Sequence, residues 1–152
     1  MSVNEDFVGK VYPPEGIYEV SREKIREFAL ATCGEELAHP AYLDPAVAAS
    51  LGHADVLAPP TFLVIPAQRS DERLIADPDA GIDFSRVVHG EESFTHHRAV
   101  VAGDRLQATL HVDAIRMAAG NAIITTRNEI TDEAGHPVST VVSTLVVRGE
   151  RS

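Results

Sequence analysis

The side chains best able to do chemistry gather in one stretch, Gly34 to Phe62, which holds Glu35, Glu36, His39, Tyr42 and Asp44. An imidazole with a carboxylate three or four residues away can serve as an acid–base pair, because a helically coiled loop sets such residues on one face. His39 with Glu35 or Glu36 is therefore a candidate catalytic pair, and Tyr42 is a further candidate. The plainer role for His39 is a histidine in a polar turn. His89, followed by Gly90 and Glu91, opens a strand, where a surface or interface role is the plainer one. His96 and His97 are adjacent in an extended segment and point to opposite faces, so they cannot share a metal ion. No His, Asp or Glu set has zinc spacing, so no metal site is expected. Neither a glycine-rich phosphate loop nor a Gly-x-Ser-x-Gly elbow is present.

The elements that must position these groups fit a chain of 152 residues, enough for one domain with one core, expected over 1–152. A net charge of −10 disfavours nucleic acid and an anionic membrane surface as partners, since both are bound mainly through Lys and Arg. An acidic protein partner would need a local basic patch, for which Arg22, Lys24 and Arg26, or Arg69 and Arg73, are available. The single cysteine, Cys33, excludes an internal disulfide and reads best as a small buried apolar residue. The acidic N-terminus is not a signal peptide, and no apolar run has the length of a membrane span. A cytoplasmic protein is expected.

Along the chain, Pro13 and Pro14 exclude a long helix before residue 20, which predicts an extended arm packed on the domain. Ser21 is a good N-cap for a helix carrying Ile25, Phe28, Ala29 and Thr32 on one face, and Gly34 is its natural stop. Asp44-Pro45 starts a short helix that Gly52 ends. A third helix is expected from Thr61 to about Ala76, buried at its apolar start and polar from Gln68 through Arg73, with Pro66 bending it. Thr61 is expected to place its hydroxyl at the helix N-terminus. The second half then alternates with period two. Residues 84–101 are extended, and Leu106, Ala108, Leu110 and Val112 share one face of a strand. Gly120-Asn121 marks a hairpin, and strands around Ile124–Ile130 and Val138–Val147 complete a meander. Helices first and strands after give an α+β class: a single hotdog fold, its long antiparallel sheet wrapped on a central helix, with a dimer expected at the open sheet edge.

Several of these segments together resemble the N-terminal domain of MaoC-type dehydratases. They are His-Pro-Ala-Tyr-Leu-Asp-Pro (39–45), Val-Leu-Ala-Pro-Pro-Thr-Phe (56–62), His-Gly-Glu-Glu-Ser-Phe (89–94) and Arg-Ala-Val-Val-Ala-Gly-Asp-Arg-Leu (98–106). The likeness extends to actinobacterial substrate-binding subunits of the heterodimeric (3R)-hydroxyacyl-carrier-protein dehydratase, which the opening Phe-Val-Gly-Lys-Val-Tyr-Pro-Pro also resembles. The resemblance implies acyl-thioester substrates, carried on an acyl carrier protein or coenzyme A, in fatty-acid or polyketide-type metabolism, with no cofactor. In active members, an Asp and a His of the motif Asp-x-Asn-Pro-x-His-x-Asp-Pro handle the protons, and N–H groups at the start of the central helix hold the enolate-like oxygen.

Anchored on Pro40, Asp44 and Pro45, that motif places its Asp on Leu37 and its His on Tyr42. Leucine carries no proton, and tyrosine, with a reference pKa near ~10, is a poor base at neutral pH. Pro60 stands where the family glycine offers its N–H, and proline has none. With no catalytic residue identified, the best reading is the non-catalytic, acyl-binding subunit of a dehydratase, paired with a catalytic MaoC-type chain. Tyr42, Pro60, Thr61, Phe62, Ile65, His89 and Gly90 are its candidate substrate-binding residues, and the apolar face of Phe62 to Ile65, with Leu106, Leu110 and Val112, would wall an acyl tunnel. Two alternatives stand beside it. One is a self-sufficient homodimeric hydratase, dehydratase or thioesterase using His39 and Glu35 or Glu36, and the other is an acyl-group binding module.

Overall fold

A computed structural model describes residues 2–150, so Met1, Arg151 and Ser152 of the expected domain lie outside the described residues. The architecture is α+β. Strand β1 is Val11–Tyr12, β2 is Tyr18–Glu19 and β3 is Val87–His96. The three long strands of the meander are β4 (Arg105–Ala118), β5 (Asn121–Asp132) and β6 (Pro137–Val147). All pairings are antiparallel, in the order β1-β4-β5-β6-β3, with β2 also on β4. The alternation in the sequence sets this pattern: Leu106, Leu110, Val112, Ile124, Ile130 and Val141 all face inward and are buried. The arm does more than pack on the domain, because β1 and β2 extend the sheet past β4. β3 precedes β4 in sequence yet pairs with β6, which leaves it as the far edge of the sheet. No helix among the described residues is long and apolar enough to cross a membrane.

Helix α1 (Arg22–Cys33) starts where expected: the Ser21 hydroxyl accepts the Lys24 N–H at 3.1 Å, and Gly34 ends the helix at φ 77°. Helix α2 (Pro45–Ser50) is capped by Asp44, which accepts the Ala46 N–H at 2.8 Å. The central helix α3 runs from Val64 to Ile75 and packs on β4 and β5. It begins later than expected, so Pro66 falls in the first turn, where a missing N–H has no partner to lose and gives no cause for a bend. Residues 59–63 form tight turns instead, and Thr61 makes no cap, since the cap position is Leu63 and no side chain bonds there. The β4–β5 hairpin turns on Ala119-Gly120, one residue before the expected pair. Both have positive φ, 50° and 79°, the conformation a two-residue primed turn needs.

Phe62 anchors the approach to α3. It is fully buried, meets Phe28 edge-on at 5.5 Å and lies 6.4 Å from the Tyr18 ring. It thereby joins α1, the arm and the helix start in one core that also holds Ile25, Leu63, Leu106, Ile130 and Val141. A second core under the far half of α3 holds Leu74, Leu110, Val112, Ile124 and Leu145. A polar row separates the two. Asp71 is only 3% exposed, although it lies in the polar part of the helix; its Oδ1 accepts the Thr126 hydroxyl at 2.9 Å and the Asn128 amide at 3.0 Å. Burial pushes the Asp71 carboxyl up, against the hydrogen bonds that pull it down.

Removing the Phe62 ring deletes the contact between three elements. Phe62→Ala should destabilise the chain by about 3–5 kcal/mol in urea unfolding, whereas Phe84→Ala, at an exposed ring, should change little. For Asp71, the folded carboxyl holds its proton to a higher pH than the unfolded one. Stability therefore falls as pH rises from the unfolded value, ~3.9, through the folded one, by up to about 1.4 kcal/mol per pH unit. Asp71→Asn should flatten this decline in unfolding midpoints measured from pH 4 to pH 8 and raise stability at neutral pH.

Candidate functional site at the start of the central helix

The loop between α1 and α3 is built from caps. The His39 ring accepts the Ala41 N–H at 3.1 Å through Nδ1, which starts a short 3-10 turn over Pro40–Tyr42. The Tyr42 ring lies 5.9 Å from the His39 ring. Glu35 and Glu36 are exposed, and neither makes an ion pair or hydrogen bond with His39 among the described residues. Leu37, at the motif's acid position, is 82% exposed and points away from the core. The fold therefore does not assemble the displaced His–Glu pair.

Tyr42 and Pro60 do come together. They line a largely apolar cleft of about 280 Å³ with Leu57, Ala58, Pro59, Leu63, and the segment His96 to Val100. The far wall is fixed by Asp104, whose carboxylate accepts from Arg98 Nη1 at 2.8 Å and from the Val101 N–H at 3.0 Å. The Gly103-Asp104 turn thus holds the loop that closes the cleft. His96, at the end of β3, bridges the strand to the helix start. Its Nε2 lies 2.7 Å from the Pro60 carbonyl oxygen, and its Nδ1 lies 3.0 Å from the Ser139 hydroxyl. A carbonyl only accepts, so Nε2 carries a proton and donates it, while the Ser139 hydroxyl lies within reach of both His96 Nδ1 and the Thr95 carbonyl oxygen, 3.2 Å away. His97 turns the other way, 3.3 Å from the Thr140 hydroxyl, as two adjacent strand residues must.

The lining of the cleft includes no carboxylate, and the His96 imidazole on it is already bonded on both nitrogens. Such a lining is suited to an apolar group. Its volume falls just below the ~300–1,000 Å³ of a site that buries a small ligand by itself. The remaining candidates lie elsewhere. Thr61 is exposed, Phe62 is locked in the core and Ile65 is partly buried against it. Phe62 therefore fills space where the sequence suggested a tunnel wall, and Leu106, Leu110 and Val112 are likewise buried in packed cores. His89 and Gly90 lie toward the other end of β3. Sequence reasoning missed His96 as the link to Pro60. Its one signal was the Phe94–His96 alternation, which put it on the inner face; the two rings stack at 5.8 Å.

Comparison with known proteins places this geometry. The family described as "FAS1-like, dehydratase domain region" matches residues 6–141. A UPF0336 protein of Clavibacter michiganensis is 50% identical over 150 residues, covering 99% of both chains. Among solved structures, a chain of the C-terminally truncated HadBC (3R-hydroxyacyl-ACP dehydratase) complex from Mycobacterium tuberculosis superposes with a TM-score of 0.83 at 32% identity, covering 93% of this chain and 97% of that one. A MaoC-like dehydratase superposes with a TM-score of 0.85 at 39% identity, covering 95% of this chain but 43% of that longer one. On this sequence match and this fold, the chain belongs to the FAS1-like dehydratase family, as a MaoC-type hotdog domain.

Proposed function

We propose that the chain is the acyl-binding, non-catalytic subunit of a (3R)-3-hydroxyacyl-thioester dehydratase, completed by a second hotdog chain that carries the acid–base pair. The observation that carries this reading is the cleft at the helix start. The loop beside it keeps the family's frame of Pro40, Asp44 and Pro45, but the cleft has Tyr42 and Pro60, and the loop has exposed Leu37, where proton transfer and oxyanion binding belong. The likeness to a chain of the HadBC complex supports a partnered arrangement. So does the sheet. β3 runs ten residues with its outer side unpaired among the described residues, and it contains no proline to block pairing. An edge of that length is a template for another strand. The exposed Val88 and Phe84, 44% and 73% accessible, lie at its start and would be covered by the same contact. The carrier is an acyl carrier protein or coenzyme A.

The self-sufficient alternative through His39 has less support, because that ring's Nδ1 is spent as a cap and neither glutamate reaches it. Co-expression with a catalytic MaoC-type chain tests the proposal. A one-to-one complex should form and dehydrate a 3-hydroxyacyl thioester. The isolated chain should be slower by about 100-fold or more, the contribution of general acid–base catalysis. Equal turnover by the isolated chain, with no complex formed, would overturn it.

A further inference from the structure

The polar row under α3 continues to the sheet edge. Thr126 pairs across β5–β6 with Ser143, and Ser143 pairs across β6–β3 with Glu92, so their side chains share the inner face. The Ser143 hydroxyl donates to Glu92 Oε1 at 3.4 Å, and Glu92 Oε2 lies 3.4 Å from His89 Nε2. The row thus runs from buried Asp71 to an imidazole that is 43% exposed, by way of a Glu92 carboxylate that is 11% exposed. In a regular strand His89 and Glu92, three apart, would face opposite sides. A bulge between His89 and Glu91 reverses that parity. Gly90 sits at the bulge, where a Cβ would come within 3.3 Å of the Thr144 carbonyl oxygen.

Folding alone gives no reason for this row. It cuts the apolar core in two, no Lys or Arg pairs with Asp71 or Glu92 among the described residues, and the Asn128 carbonyl oxygen lacks a donor. Burial raises the Glu92 carboxyl, His89 lowers it and Asp71 raises it. Apolar residues in these places would stabilise the chain better. What the row achieves is orientation: Glu92 sits beside Nε2 of a half-exposed ring, and Nδ1 of His89 has no hydrogen-bond partner among the described residues.

We propose that this chain lends His89, oriented by Glu92, to the substrate site of the hotdog chain docked on its β3 edge, where Nδ1 hydrogen-bonds the β-hydroxyl of a 3-hydroxyacyl thioester. The inference rests on the subunit reading above. His89 cannot serve this chain's own cleft, because His96 at that cleft lies about 23 Å along the strand, seven residues at ~3.3 Å each. Two like edges related by a two-fold axis pair antiparallel, which sets the start of one β3 beside the end of the other. In a partner of the same fold, that end adjoins its helix-start cleft, as His96 adjoins Pro60 here. His89 is then a binding residue of the partner's site, and Glu92 and Asp71 are positioning residues.

The test uses the reconstituted two-chain complex with 3-hydroxybutyryl and butyryl groups, each on coenzyme A and on an acyl carrier protein. His89→Phe and Glu92→Leu should leave assembly intact and weaken 3-hydroxybutyryl binding about tenfold, one hydrogen bond's worth, while butyryl binding stays unchanged. Glu92→Gln, which can still hold the ring, should restore most of the loss. Variants that keep the wild-type affinity for both groups, or lose affinity equally for both, overturn the inference while leaving the subunit reading standing; a wild-type pair that neither assembles nor turns over defeats both. Should a variant fail to assemble, the His89 ring resonances of the wild-type complex decide. They should shift on adding the 3-hydroxybutyryl probe and not the butyryl one, and no difference between the two overturns the inference.

Discussion

The seating of the turn before α3 is the contact on which the rest of the structure depends. Phe62 fills the space between α1, the arm and the inner face of the sheet, and the aromatic contacts with Phe28 and Tyr18 fix its position. Once that turn is placed, Pro60 must present its carbonyl to the end of β3, where His96 meets it. The helix then runs across the sheet and brings Asp71 down onto Thr126 and Asn128. One packing decision therefore sets both the cleft at one end of β3 and the polar row that reaches the other end.

The helix-start site keeps its shape with Leu37, Tyr42 and Pro60 at the motif positions. The caps made by His39 and Asp44 still shape the loop, and the Arg98–Asp104 pair still closes the far wall. The two caps bond backbone N–H groups, the far wall is an ion pair, and none of these contacts involves position 37 or 42. The shape of the loop therefore does not depend on an acid–base pair at positions 37 and 42, which is what the proposed acyl-binding subunit requires. A cleft slightly too small to enclose a ligand, beside an open sheet edge, fits a site shared between two chains.

Much of the fold was legible because it is local. The alternation from Leu106 to Ile130 fixes which side of each strand is buried, and Ser21, Gly34 and Asp44 mark helix ends through bonds a few residues long. The departures from the family motif at Leu37, Tyr42 and Pro60 were equally readable. What escaped was non-local. Nothing near β3 says that it will pair with β6 rather than with β4, the next strand. Asp71 looked solvated beside Gln68, Arg69 and Glu72, and only Thr126 and Asn128, more than fifty residues on, explain its burial. The parity of His89 and Glu92 turned on a bulge at Gly90 that strand periodicity does not announce. Phe62, read as a tunnel wall, proved to be core because the partners that enclose it come from earlier in the chain.

The central claim is that the β3 edge is where a second hotdog chain completes this one. Backbone amide exchange over residues 87–96, with and without a catalytic MaoC-type chain, measures it directly. Half of those amides already bond to β6, and the outward half exchange freely in an unpaired edge. The account predicts that the outward amides become protected when the catalytic chain is added. Exchange unchanged across β3 in a complex that nonetheless forms would contradict it.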